Sequence, residues 1–518
     1  MLFSKIAKSQ ENSEKMRLQF EQQLKLGIVP ISEVTFDLSS RHNLLPVLRA
    51  LQHVFVTPEL NKKIFSILEK KVKGNVQNTG RYGMSLWEIF VLGMVRHNEN
   101  ADFDQLHDMA NEHNTLRKIL GVSKGDFTQG KEYKLQTIKD NVQQLDEATI
   151  LQLSNVIVEG SHGLIKKKEG VDSLSLQTKA DSFVVESHIH FPTDLNLLWD
   201  SLRKLLEMIV YFQLSSLGLK SRIHTKKWFK EVRRAYRICS EIHRKKGRNY
   251  EERLEEGTSL YLKIGEEVVK RAKELLIKIM TNSLTGNDLT DIQRARLQDF
   301  LYFLEMSEKH LDLVKRRILL KETIPHEEKV FSIFEDHVEW NSKGKSNKQV
   351  ELGHNVLVAT DQYGNILYSE VYESQTDKER TINLGNKLTQ EYGEEHKLES
   401  ISLDRNFYSS AAEKSLLKQF DIVVLPKPGR PSKLELAEGE NADYQNRKRK
   451  HSCVEGNINQ LEHNGLGVCR DKGIEGFKRY VAYGVLAYNA HRLGMMLIRE
   501  EREAAKRAQK KAKRLQAA

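Results

Sequence analysis

Three acidic residues stand where chemistry on a phosphate is possible. Asp181 follows the alternating stretch SLSLQTKA (Ser173–Ala180), which reads as a strand ending at that aspartate. Asp404 closes a second strand-like stretch, LESISLD (Leu398–Asp404), and Glu455 lies early in a helical stretch that starts near Cys453. Carboxylates brought together repel one another and call for counter-charge. Oxygen ligands suit Mg²⁺, with Mn²⁺ as a substitute. Two such ions about 4 Å apart can activate a water or a 3′-hydroxyl and steady the leaving oxygen of an in-line displacement. Each acid also has a plainer reading, because an acid at a strand end often caps the next helix. Glu335, Asp336 and Glu339 in IFEDHVEW compete for the same role. Asp361 competes too, from a hairpin turn where Asp is common for local reasons.

The basic residues are packed into short stretches. The chain carries 82 Lys/Arg against 71 Asp/Glu, a net charge of +11. Between Leu219 and Asn249 there are 12 Lys/Arg and 2 Glu. A surface of this kind fits a polyanion, because each cation placed on a phosphate releases a counterion. Arg233, Arg234 and Arg237 are its centre, with Trp228, Phe229 and Tyr236 interleaved. A second run, Arg447, Lys448, Arg449 and Lys450, precedes Glu455 and is placed to hold the phosphates of a strand at the carboxylates. His451 follows it one helical turn before Glu455. Lys427–Lys433 reads as a rigid basic loop. Trp228 and Trp340 are candidates for stacking on a base or for ordinary core packing.

The elements that must position these groups can be read from periodicity. From Leu44 to Val122 apolar residues recur at three- and four-residue steps. Thr57-Pro58 marks a helix start, and Gly121 ends the second of two short helices, Phe103–Ala110 and Asn114–Leu120. Short helices with tight joints are compatible with a helix-turn-helix. After the first strand, residues 195–324 are helical throughout. Strand patterns return at Asn355–Asp361 and Ile366–Glu373, joined by the turn Gln362–Asn365. A helix (Thr376–Gly393), the strand ending at Asp404, a helix (Ser409–Gln419), a strand (Asp421–Pro426) and closing helices follow. With the helical insertion removed, this is the order of a mixed α+β, ribonuclease-H-like layer domain. In that topology the first and fourth strands are neighbours and a late helix crosses their ends, so Asp181, Asp404 and Glu455 converge. The predicted division is a helical N-terminal DNA-binding region (1–150), a split catalytic domain (165–194 and 325–498), the helical insertion (195–324) and a basic tail (499–518).

Composition narrows the classes. No apolar run approaches the roughly 20 residues of a membrane span. Cys239, Cys453 and Cys469 form neither a disulfide framework nor a CxxC pattern. The N-terminus lacks the apolar core of a secretory signal. A reduced, soluble, cytoplasmic protein is expected.

Several ordered blocks resemble the bacterial insertion-sequence DDE transposases, with greatest similarity to the ISNCY-type group. KADSFVVESHIHFPTDLNLLWD (Lys179–Asp200) resembles their first-aspartate region, and EWNSKGK (Glu339–Lys345) with VELGHNV a second shared block. SLDRNFYS (Ser402–Ser409) is similar to the second-aspartate block and His451–Gly494 to the glutamate block. RYGMSLWEIFVLGMVRH with LRKILGV is similar to the helical N-terminal domain. The resemblance implies Asp181, Asp404 and Glu455 as a triad binding two Mg²⁺ ions. It also implies double-stranded DNA partners (terminal inverted repeats and target DNA), a homodimer in the active complex and a nucleoid-associated place in the bacterial cytoplasm. Two positions depart from the family: Asn406 stands where a glycine is common, and Glu462-His463 where a basic residue is common.

Overall fold

The computed structural model describes residues 18–20, 28–72, 83–122, 130–215, 223–284, 289–342, 349–373, 376–429 and 441–517. It is a mixed α+β chain, mostly helical, around an open sheet with parallel and antiparallel pairs. Two compact units are formed, one by residues up to His188 together with Glu339 onward, the other by Ile189–Val338.

In the first unit, seven α-helices among the described residues precede the sheet: α1 (Leu44–Val56), α2 (Pro58–Lys71), α3 (Leu86–Asn98), α4 (Phe103–Glu112), α5 (Asn114–Leu120), α6 (Leu135–Val142) and α7 (Glu147–Glu169). Their boundaries follow local chemistry. Pro58 takes the first position of α2, where its missing N–H costs nothing. Ser85 and Glu88 form a capping box that starts α3. Gly121, at φ 71°, closes α5 in the left-handed conformation. These helices do not close a core among themselves. Val47, Trp87, Phe90 and Leu153 share one apolar cluster with Ala482, Tyr483, Leu486 and Leu493, on the long last helix. The residues expected as a separate N-terminal region are thus packed on the other end of the chain.

The sheet comprises β1 (Ser175–Ser187), β2 (Glu339–Ser342), β3 (Val350–Thr360), β4 (Ile366–Tyr372), β5 (Lys397–Ser402), β6 (Ile422–Val424) and β7 (Val468–Cys469). β1 is central. It pairs antiparallel with β3 and parallel with β5. β4 lies antiparallel on β3, and β6 parallel on β5. The strand expected to end at Asp181 runs six residues further, because the buried aromatic and β-branched run Phe183–Val185 favours extended chain and has β3 to pair with. Leu176, Ala180, Leu357 and Ala359 face a layer containing Leu384 and Leu388 of α12 (Asp377–Tyr392). Phe183, Val185, Val356 and Val358 face the opposite layer. That layer is supplied by α15 (Cys453–Leu461) and α16 (Gly473–Ala517). The small helices α13 (Ser410–Leu416) and α14 (Ala442–Lys450) complete the unit. α14 begins at Ala442, and residues 430–440 before it lie outside the described residues. The tail after Arg499 continues α16 as an exposed helix.

The second unit is a bundle of α8 (Asp194–Leu214), α9 (Thr225–Lys245), α10 (Tyr250–Leu284) and α11 (Asp291–Val314). Thr193 and Thr290 cap α8 and α11 through their hydroxyls. Leu202, Phe212, Cys239, Tyr261 and Phe300 are fully buried in its core.

The insertion leaves and rejoins the sheet at one place. Glu186 of β1 lies opposite Gly353 of β3, and Gly353 lies opposite Glu339 of β2. The chain ends of the inserted unit are therefore about two strand spacings apart, about 10 Å. Gly353 is required by proximity: a Cβ there falls 1.9 Å from the Val185 carbonyl oxygen. Gly353→Ala is expected to destabilise this unit by about 1–3 kcal/mol. Gly163→Ala, on an exposed face of α7 with nothing within 4 Å of the new Cβ, is expected to stabilise by up to about 1 kcal/mol. Urea midpoints of the two variants against the parent check both, and equal midpoints would refute the packing argument.

Candidate functional site

Asp181 sits within β1, opposite Val358, on the face that carries Phe183 and Val185. The first turn of α15 packs over this face through Val454 and bears Glu455. Asp404 lies two residues past the end of β5, the parallel neighbour of β1. Three elements far apart in sequence thus deliver the three predicted acids to one region.

Electrostatics show their proximity. The Asp181 carboxyl is pushed up to about 6, first by burial and then by the charges of Asp404, Asp377 and Glu455. The Ser182 N–H, which donates to Asp181 Oδ1 at 2.7 Å, opposes this only in part. Asp404 occupies the N-cap position of a short 3₁₀ turn (Arg405–Phe407), yet its side chain caps nothing. The helix-capping reading of this residue therefore fails. The Asp404 and Glu455 side chains are exposed and accept no hydrogen bond or ion pair among the described residues, the Asp404 carbonyl alone accepting from the Phe407 N–H at 3.1 Å. Asn406 lies inside the 3₁₀ turn and is not among the residues with positive φ. The turn needs no left-handed residue, so an asparagine fits it without strain.

The competing acids are engaged elsewhere. Asp361 is 1% exposed and accepts from the Tyr363 and Asn365 backbone N–H groups and from His162 Nε2 at 2.8 Å. This is the local turn role joined to a buried histidine contact. Within the second unit, Glu335 pairs with His337 at 3.0 Å. Glu339 lies on β2, opposite Gly353.

Lys179 and Asp377, which the sequence did not single out, also lie here, with His451, which it did. Lys179 precedes Asp181 by two residues on the same face of β1, a placement visible only once the strand continues past Asp181. Asp377, at the start of α12, accepts from the Tyr372 hydroxyl and adds negative charge beside Asp181. His451 Nδ1 lies 3.1 Å from Ser402 Oγ. Burial lowers the His451 pKa, while Asp404 and Glu455 pull it back up.

The predicted basic residues divide. Arg447 is half-buried on α14, donating to Ser400 Oγ at 2.8 Å and to the Glu399 carboxylate, so it fastens α14 to β5. Lys448, Arg449 and Lys450 are exposed. On α9, Val232, Ala235, Cys239 and Ile242 make the buried stripe. Arg233, Arg234 and Arg237 are exposed and form no ion pair among the described residues. The interleaved aromatics serve the bundle instead: Tyr236 stacks on Trp199 at 5.7 Å, and Trp228 lies under Arg271. In the helix-turn-helix candidate, Arg117 is buried and donates to the Ala110 and Lys131 carbonyls, so α5 is a packed helix rather than an exposed reading head. Of Lys427–Lys433, residues 430–433 lie outside the described residues.

The donor set is of the kind a hard divalent cation takes: carboxylate oxygens only, the side chains of two of the three without partners among the described residues. Among the described residues no group of three His, Cys, Asp or Glu is already close enough to hold an ion. Asp181, Asp404 and Glu455 would have to draw together on binding one.

The raised Asp181 carboxyl has a consequence for stability. The folded chain keeps a proton there that the unfolded chain releases near the usual 3.8. Stability then falls as pH rises from about 4 to about 6 and is level above that. In chelator at pH 7, Asp181→Asn is expected to be more stable than the parent by on the order of 1–2 kcal/mol, discounted for partial exposure. It should also lose this pH dependence. Denaturant titrations at pH 4.5 and 7 measure it; a variant that tracks the parent at both values would show that Asp181 is not strained.

The chain matches no family model, no curated protein and no solved structure.

Proposed function

We propose that this chain is a DNA transposase of the DDE type, cutting and joining DNA strands by divalent-metal-dependent phosphoryl transfer. The observation that supports the reading is that the charges of Asp404, past the end of β5, and of Glu455 on α15 act on Asp181 of β1, while the side chains of Asp404 and Glu455 are unpartnered among the described residues. Carboxylates that served the fold would be capping or ion-paired, as Asp361 and Glu399 are. The strand arrangement supports the ribonuclease-H-like reading, since the first strand lies parallel to and beside the one that ends before Asp404. When bound, Mg²⁺ or Mn²⁺ would supply an activated hydroxyl and neutralise charge on the reacting phosphate. The chain's own part is to hold the carboxylates at one end of a rigid sheet. The exposed arginines of α9 and the cations of α14 offer surfaces to the DNA backbone.

A second reading, a DNA-binding regulator without catalysis, is favoured by one observation: the described carboxylates are not drawn together into a ready metal cluster.

On DNA carrying the element's ends, the parent is expected to nick and join strands with Mg²⁺ and not with chelator. Asp181→Asn, Asp404→Asn and Glu455→Gln should each bind the DNA while cutting at least about a hundredfold more slowly. Binding without cutting by the parent supports the regulator. Cutting without joining points to a nuclease on the same sheet. Undiminished cutting by any one variant removes that residue from the triad.

Replacing Arg233, Arg234 and Arg237 together with Gln is expected to flatten log K against log salt by about 2–3 units of slope. An unchanged slope would take α9 off the DNA surface.

A further inference from the structure

α16 runs 45 residues, from Gly473 to Ala517, and only its first part has a core to pack on. Ile498, 1% exposed, is its last buried residue, and every residue from Arg502 to Leu515 is exposed. The helix is fastened where it leaves the core. Glu501 pairs with Arg49 at 2.6 Å, and the Arg502 Nε–H donates to the Leu38 carbonyl at 2.8 Å. Beyond Glu503, no hydrogen bond or ion pair to another element occurs among the described residues. Arg507 pairs with Glu503 of its own helix, at 3.8 Å. At about 1.5 Å per residue, the helix continues past its last anchor by about 20 Å.

The charges on this extension are one-sided. Glu503 is the last acid of the chain, and six cations follow it: Lys506, Arg507, Lys510, Lys511, Lys513 and Arg514. At about 100° per residue they fall within an arc of about 160°. Ala504, Ala508 and Leu515 take the opposite side. Lys506 and Lys510, Arg507 and Lys511, and Lys510 and Arg514 are like charges one turn apart, which weakens a free helix. Cations favour the negative end of a helix only within its last turn, and that turn holds Arg514. The other five do not serve the helix itself. A side made of alanines and one leucine is too thin to lie in a bilayer surface, where Trp, Phe and Leu supply the burial. It also lacks the large, spaced apolar anchors by which a helix seats in a protein groove. A row of phosphates matches the charged arc. Each cation set on a phosphate releases a counterion, and the repulsion along the helix is relieved.

We propose that residues 506–514 of α16 form an arm that binds duplex DNA along its phosphate backbone, without reading bases. The choice of DNA over other polyanions rests on the transposase reading. The arm itself does not depend on the three carboxylates. Its fastened base gives the chain a grip on DNA of any sequence at a fixed point of the first unit.

The test compares three full-length chains on a DNA duplex of arbitrary sequence, in chelator. One is the parent. In the arm variant, Lys506, Arg507, Lys510 and Lys511 are all changed to Gln. In the control, Lys62, Lys70, Lys167 and Lys168, which are exposed on α2 and α7, are changed to Gln. Every substituted side chain is exposed, so all three chains should share one thermal transition. The arm variant is expected to lose about 3–4 units from the slope of log K against log salt. The control should keep the slope of the parent. Equal slopes in the parent and the arm variant overturn the arm, and so does a control that loses as much as the arm variant. Tighter binding of the parent to duplex RNA, to polyglutamate or to phosphatidylserine vesicles than to the DNA duplex overturns DNA as the partner. A slope lost in the arm variant alone, with no cutting by the parent under Mg²⁺ on the element's ends, keeps the arm and removes the transposase reading. Cutting by the parent with an unchanged slope in the arm variant does the reverse.

Discussion

Strand β1 is hydrogen-bonded along both edges, and both partners come from beyond the inserted unit. β3 pairs with it antiparallel from Lys179 to Glu186, and β5 parallel from Ser175 to Lys179. A strand paired on both sides has no freedom of register, since a one-residue slip would turn its apolar set to the wrong layer. That constraint fixes Asp181 opposite Val358 and turns it toward α15. It also sets Lys179 beside Ser402, two residues from Asp404. The geometry of the candidate site is a consequence of this pairing.

The chain treats its carboxylates in two ways. Asp471 is 4% exposed at its side chain and is held by Arg96 through two contacts, at 2.7 and 3.3 Å, with Arg479 nearby. Removing one partner of such a pair strands a buried charge, which is far costlier than the pair is favourable. The ion pair joins α3 to the segment leading into α16 and so serves the fold. Asp181 has no basic partner among the described residues, and its half-buried carboxyl feels the charges of Asp404 and Glu455. The apolar burial of Phe183, Val185, Val356 and Val358 beneath α15 and α16 offsets that cost.

Much of the scaffold was legible because helix boundaries have local causes. Pro58 after Thr57, and Gly121 at a left-handed end, announce themselves in sequence. So does the turn after Asp361, where an aspartate and a glycine separate two apolar runs. Other features depend on partners the sequence does not display. β1 was read as stopping at Asp181 because a charged residue broke an apolar alternation, and only β3 shows why it continues. β2 and β7 have four and two residues, too few for a period to emerge. α14 has no buried residue at all, so its helix leaves no apolar trace. The three acids were proposed from position at strand and helix ends, and Asp181 lies within its strand instead. The aromatics of α9 were misleading: a mixed basic and aromatic stretch looks the same whether its rings face DNA or a bundle core.

The inserted unit leaves the sheet after β1 and returns at β2, one strand beyond β3. On a ribosome, β1 emerges well before either of its partners exists, and a lone strand is a hazard for aggregation. Closing a loop of that length as a random coil would slow the sheet's assembly. A bundle that folds while the chain is still being made turns that loop into a short, stiff span, returning the chain close to the waiting strand. An insertion that folded first would then act as a clamp during synthesis.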